Sequence, residues 1–261
     1  MTGLKQSILT AAACCAVSAP LQAHHALEYI EMDSYGTTLK GWSVFHLHYD
    51  YFVDDENNPD LDHWEVTPGL SYGITDRLMV DVHTHFAKFG ADHIVEDRRD
   101  EFSPDGPSPF FEAVAIAAQY RLTVDSFVDV AVLGTMEIPL DRSEELLGSE
   151  DNAYIGTLIM SKEFEGHKNL SLNLIYESEG DEDETLWAVG AKTPVSADDH
   201  GVSVGLELLG SFDDTSDNWS AIPGLYMPIG DGTMILKTGF EIGKSDGADA
   251  SRFNLTLMRL F

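Results

Sequence analysis

From residue 38 to the C-terminus, apolar and polar residues alternate with a period of two, and turn-forming residues interrupt the alternation at regular intervals. The pattern predicts twelve strands over residues 38–53, 63–75, 78–90, 108–122, 126–140, 152–164, 168–178, 184–195, 201–212, 218–229, 233–244 and 251–261. In the first, Leu39, Phe45, Leu47, Tyr49 and Tyr51 oppose Lys40, His46, His48 and Asp50. In the third, Leu78, Val80, Val82 and Phe86 oppose Asp81, His83 and His85, and in the seventh Leu170, Leu172, Leu174 and Tyr176 oppose Asn169, Ser171 and Asn173. The fourth breaks parity, because Glu112 and Gln119 fall on opposite faces; a bulge, or a Glu112 carboxyl at headgroup level, reconciles them.

Short links (75–77, 123–125, 165–167, 196–200 and 230–232) alternate with longer ones (54–62, 91–107, 141–151, 179–183, 213–217 and 245–250). An even strand number with short turns on one rim and long loops on the other predicts an all-β protein, a single transmembrane antiparallel up-and-down barrel of the outer-membrane type. The expected strands have ~11 residues or more, enough to cross a bilayer when tilted. No later segment offers the ~18 consecutive apolar residues of a helical span. The longer links concentrate acid: Asp54, Asp55, Glu56, Asp60 and Asp62; Asp181, Glu182 and Asp183; Asp213, Asp214 and Asp217. They form a solvated, repulsive rim, or a cation-attracting mouth that contacts lipopolysaccharide through divalent ions.

The formal net charge of -30 argues against nucleic acid as a partner. At the N-terminus, Lys5, the apolar run Ile8 to Ala19 and the Pro20-Leu21-Gln22-Ala23 tail read as a signal peptide, residues 1–23. A short N-terminal segment, 24–37, precedes the barrel, 38–261, and no plug domain or TonB-box-like stretch is visible in it. Cys14 and Cys15 lie inside the signal, so the mature chain holds no disulfide and no thiolate ligand.

The last strand carries Phe253, Leu255, Leu257 and Phe261 on one face. It resembles the C-terminal signal of Gram-negative outer-membrane barrels that the barrel-assembly machinery reads, with Arg259 departing from it. Strands that close on a proline, as in Met136-Glu137-Ile138-Pro139, Lys192-Thr193-Pro194 and Tyr226-Met227-Pro228-Ile229-Gly230, resemble the transporter barrels grouped as MetA-pathway phenol-degradation proteins. That resemblance implies passage of small molecules through the outer membrane, in its simplest form a passive channel for organic or aromatic compounds. It carries no catalytic residues.

Candidate chemistry lies in two repeated spacings, FHLHYDY (45–51) and VDVHTHF (80–86). Parity sends His46, His48 and Asp50 to the lumen from the first strand, His63, Glu65, Thr67, Gly69 and Ser71 from the second, and Asp81, His83 and His85 from the third. The tight 75–77 turn sets the register, giving rows His46–Gly69–His83 and His48–Thr67–His85 with flanking Cα atoms ~9–10 Å apart. Histidines opposed across that gap can hold one transition-metal ion, with His63, Glu65, Asp50 and Asp81 as further ligands or orienting groups. Imidazole with carboxylate and no thiolate suits Zn, Cu(II), Ni, Co or Fe(II). His24-His25 adds an amine and two imidazoles that can fold back.

The bland alternative is a polar filling in which the histidines hydrogen-bond to Glu, Asp and Lys, as in a structural barrel with a plugged lumen. Glu137, Glu207, Glu241, Lys192 and Lys237 are also expected inside. Ser71, His83 and Asp81 lie close in register, yet no nucleophile elbow or metalloprotease motif accompanies them. The chain therefore reads as a non-enzyme that passes or captures a small solute or ion, with a lipid hydrolase as the remaining alternative.

Overall fold

The computed structural model describes residues 29–261 except positions 54, 56, 59–60, 100, 102–105, 148–150, 181, 196–200, 213–217, 231 and 246. The signal sequence with Cys14 and Cys15, the His24-His25 pair and several loop acids (Asp54, Glu56, Asp60, Asp181, Asp213, Asp214 and Asp217) lie outside the described residues.

Among the described residues, twelve strands form one closed antiparallel barrel. They are β1 (Ser43–Val53), β2 (His63–Gly73), β3 (Leu78–Lys88), β4 (Phe110–Arg121), β5 (Asp129–Pro139), β6 (Ala153–Phe164), β7 (Lys168–Glu179), β8 (Glu182–Pro194), β9 (Ser203–Ser211), β10 (Trp219–Ile229), β11 (Met234–Ser245) and β12 (Ala248–Leu260). Each pairs with its sequence neighbours, and β1 closes onto β12 from Val44↔Leu260 to Val53↔Ser251. Closure follows from the solvent: lipid offers no hydrogen bonds, so a strand edge cannot be left open in it. Two short helices, α1 (Glu96–Arg99) and α2 (Asp141–Leu147), lie in the links after β3 and β5.

The outer face carries large apolar side chains at alternate positions: Leu70 and Tyr72, Ile116 and Tyr120, Leu206 and Leu208, Phe240 and Ile242. In water such a belt would aggregate; around a closed barrel it is the lipid-facing surface. Trp64, Phe86 and Phe111 meet near the long-loop rim, with ring centroids 6.0 and 5.1 Å apart, where an aromatic girdle is expected. The predicted bulge is present: the β3–β4 register shifts between His85/Phe86, and Glu112 is the extra residue.

Three boundaries differ from the sequence reading. The first strand begins at Ser43, because residues 36–39 are non-strand chain that leads out of the lumen. The links expected at 179–183 and 245–250 are tight hairpins around Gly180 and Gly247, both with positive φ. Glu182-Asp183-Glu184 belongs to β8 and Ala248-Asp249-Ala250 to β12, since charged residues continue a strand once it has passed the headgroups. The long-loop rim therefore has its extended links after β1, β3, β5 and β9.

The links after β1, β3 and β5 fold together over that rim. Asn58 Nδ2 donates to Asp92 at 2.8 Å, the Val95 N–H donates to the Leu146 carbonyl at 2.9 Å, and His93 Nε2 lies 2.6 Å from the Leu61 carbonyl. Phe89, Ile94, Phe110 and Leu146 form a small apolar core beneath them.

The belt gives a direct stability test. Val82, mid-strand and half exposed, faces the hydrocarbon, and Val82→Arg is expected to lower unfolding free energy in lipid vesicles by about 2–4 kcal/mol. Ile229→Arg, at the end of β10, should cost about 0–1 kcal/mol on the same denaturant titration.

Candidate functional site

The lumen is occupied by the chain's own N-terminal segment. Residues 29–38 run through it as non-strand chain with bends at 30–32 and 35, and Tyr29, Ile30, Met32, Tyr35, Thr37 and Thr38 are buried. Wall side chains bond several of their backbone groups. The Glu207 carboxylate accepts from the N–H groups of Ile30, Glu31 and Met32 at 2.7, 3.0 and 2.9 Å, and from the Tyr226 hydroxyl at 2.8 Å. These donors satisfy the oxygens of a wholly buried side chain. Lys237 Nζ donates to the Tyr29 carbonyl and Asn173 to that of Asp33. Gln119 Nε2 lies 2.9–3.0 Å from the carbonyls of Ser34, Tyr35 and Gly36.

Side chains complete the docking. The Tyr29 hydroxyl donates to Asn169 at 2.6 Å, and the Lys192 ammonium lies 5.5 and 4.7 Å from the Tyr29 and Tyr226 rings. Ile30 packs with Ile222 and Tyr226, and Tyr35 with Ala131 and Ile159. Glu31 pairs with Arg252 at 2.9 Å inside a group that also holds Asp50 and Glu241. Burial pushes the Glu31 carboxyl up to about 7, against the pull of Arg252 and with help from Asp50.

The histidine wall faces this segment. The expected register holds, with His46↔Gly69, His48↔Thr67 and Gly69↔His83. The expected ion between the rows does not follow, because Asp81 occupies the gap. His46 Nε2 lies 2.8 Å from Asp81 Oδ2 and His83 Nδ1 lies 2.7 Å from Oδ1, while Ser71 donates to Oδ2 at 2.6 Å. His48 Nε2 is 3.1 Å from His46 Nδ1, and Thr256 Oγ1 is 3.0 Å from His48 Nδ1. An ionised Asp81 accepts only, which fixes the direction for neutral rings: Thr256 donates to His48, His48 to His46, and His46 to Asp81. Both nitrogens of His46 and of His48 are thereby engaged in hydrogen bonds in this structure. His83 keeps Nε2 as an acceptor toward the lumen.

The other expected ligands are dispersed. His63 is stacked between Phe52 and Phe89, with centroids 4.1 and 5.0 Å away, in the apolar packing under the outer links. Asp50 accepts from Asn254 at 2.7 Å beside the Arg252 group that holds Glu31. Glu65 and His85 stay together near the long-loop rim, Oε2 3.6 Å from Nδ1, and the bulge adds Glu112. Ligand atoms of Glu65, His85 and Glu112 lie within 4.8 Å of one another, the one such grouping among the described residues. Glu137 Oε2 is 3.9 Å from His85 Nε2. Among the described residues, the Ser71 hydroxyl donates to Asp81.

Two features escaped the sequence reading: the docked segment, and the role of Glu207 in holding it. Glu207, Glu241, Lys192, Lys237 and Glu137 do face inward as expected. A signal for the segment existed in Ile30-Glu31-Met32-Asp33, an apolar-polar alternation just ahead of the barrel.

A closed twelve-strand barrel with an apolar belt and a polar lumen defines the outer-membrane class of barrels, and solved structures share the architecture. The COG4313 outer membrane channel from Pseudomonas putida F1 superposes with a TM-score of 0.62 at 12% identity, over 89% of this chain and 100% of that one. The NanC porin gives 0.54 at 7% identity, over 82% and 98%. The KdgM porin gives 0.52 at 12% identity, over 83% and 99%. No protein-family model matches the chain. No curated protein matches it.

Gly69 is the position through which the wall can be tested. A Cβ there would lie 2.2 Å from His46 Cε1 and 2.7 Å from His83 Cβ, so His46 reaches β3 only because β2 has no side chain at this point. Gly69→Ala is expected to break the His46–Asp81 bond and cost about 1–3 kcal/mol in unfolding free energy. Imidazole NMR shifts of His46 and His83 should move with it, and unchanged shifts would show that the wall tolerates the methyl.

Proposed function

We propose that the protein is an outer-membrane channel for small neutral or cationic solutes, with passage running between the docked segment and the histidine–aspartate wall. The carrying observation is the residual cavity of about 240 Å³ between them, lined by His46, His48, Asp81 and His83 on the wall side. Met79, Leu133 and Met258 add apolar surface to the same cavity. That mixture suits a solute with an apolar body and one hydrogen-bond donor, which His83 can receive.

Charge selects the sign. Glu65, Glu112 and Glu137 gather below the long-loop rim, and the whole chain has 45 acidic against 15 basic residues. A polyanion would meet repulsion there. One structural neighbour, the KdgM porin, was solved in complex with disordered oligogalacturonate, an acidic oligosaccharide. The carboxylates in this lumen support a different solute for this chain. The acidic rim further supports divalent-bridged contact with lipopolysaccharide, and the aromatic-ended last strand supports recognition by the assembly machinery.

Releasing the segment should open the pathway. Glu207→Ala removes three charge-assisted backbone bonds worth about 1.5–3 kcal/mol each and is expected to raise single-channel conductance severalfold, with cation selectivity retained. Equal conductance in a variant that still runs as a folded barrel would sink the reading.

Docking also carries a pH dependence. Glu31 binds its proton more tightly docked, with a value of about 7, than free, at 4.5. The extra docking stability is full below 4.5 and is lost as pH climbs through 7. Conductance should therefore rise across that window, and Glu31→Gln should flatten the profile.

A further inference from the structure

We propose that Glu65, His85 and Glu112 form a binding site for a divalent transition-metal ion at the outer end of the lumen, with Glu137 as the group that completes it. The site is separate from the histidine–aspartate wall, where hydrogen bonds engage both ring nitrogens of His46 and His48.

Four observations carry it. First, one ligand atom from each of the three residues falls within 4.8 Å of the others, close to the ~3.4–4.4 Å that separates ligands of one ion at ~2.1 Å. Second, His85 Nε2 is buried and has no hydrogen-bond partner among the described residues; the atom facing it is Glu137 Oε2 at 3.9 Å. A buried ring nitrogen without a partner is costly, and a cation shared with that carboxylate would satisfy it. Third, the charged groups that act most strongly on Glu112 are Glu65, His85, Glu137 and His93, with no lysine or arginine among them. Three carboxylates around one imidazole repel unless a cation joins them. Fourth, Glu112 enters the lumen through the β-bulge opposite His85/Phe86; without the extra residue, parity would point this carboxylate to lipid.

The donor set names the class of ion. One imidazole with two or three carboxylates favours Zn, Co, Ni or Fe(II) over Ca or Mg, which take oxygen ligands, and over Cu(I), which favours thiolate or thioether. The ligands come from β2, β3 and β4 in consecutive pairing, so the backbone already holds them in place.

The test is titration of the full-length refolded protein in detergent with Zn(II), followed by calorimetry, and with Co(II), followed by its visible d–d absorption. The wild type should bind one ion per barrel. Glu112→Gln and His85→Gln should each weaken binding by roughly tenfold or more, and His83→Ala should leave it unchanged. Folding of every variant is checked by heat-modifiable gel mobility; should either of the first two fail to fold, Glu65→Gln takes its place. No saturable binding by the wild type overturns the proposal. So does undiminished binding by His85→Gln, or loss confined to His83→Ala, which would put the ion on the other wall. Displacement of Zn(II) by equimolar Ca(II) would overturn the assignment to a transition metal. None of these outcomes depends on whether the barrel conducts solute.

Discussion

Every backbone N–H and C=O that faces hydrocarbon must find its partner within the protein, and that requirement shapes the whole molecule. It forces β1 onto β12, closes the sheet, and makes side-chain parity decide between lipid and lumen except at the Glu112 bulge. The exposed Leu, Ile, Val, Phe and Tyr belt is one consequence. The other is a lumen lined by His, Asp, Glu, Asn, Thr and Lys, whose polar groups need partners of their own. Polar chemistry concentrates inside because charge is costly on the lipid face at mid-membrane depth.

The docked segment turns the same accounting inside out. On the wall, backbone pairs with backbone; in the lumen, the backbone of residues 29–38 pairs with side chains from many strands. Glu207, Gln119, Asn173 and Lys237 hold carbonyls or amides and do not read the side chains they carry. The position of the segment therefore rests on a few charge-assisted bonds and small apolar contacts, and no continuous ladder holds it. The residual cavity lies where the segment leaves the β1–β3 wall uncovered.

Much of this architecture could be read along the chain, and the reasons are local. Period-two alternation fixed which residues face inward, and the tight turn at Thr75-Asp76-Arg77 fixed His83 beside Gly69. The parity break at Glu112 announced the bulge. What stayed hidden depended on distance in sequence or on side-chain reach. The partners of Tyr29 to Gly36 are single polar residues scattered from Gln119 to Asn254, each ordinary in a lumen wall. Asp81 sits two residues from His83 on the same face, but its place between two imidazoles depends on His46 lying across Gly69, which strand pattern does not encode. Charged runs such as Glu182-Asp183-Glu184 read as loop because exposure and turn look alike in composition; here the strand continues into water.

The hydrogen-bonded chain on the wall has a property that comes from where its members sit. Thr256 is on β12, His48 and His46 on β1, Ser71 on β2, and Asp81 and His83 on β3. It therefore straddles the seam at which the first strand meets the last. A sheet whose seam is still open holds the histidines and Asp81 but lacks the hydroxyl that ends the chain, leaving His48 Nδ1 bare. The wall's hydrogen-bond chain is therefore complete only in the closed ring, where β12 lies beside β1.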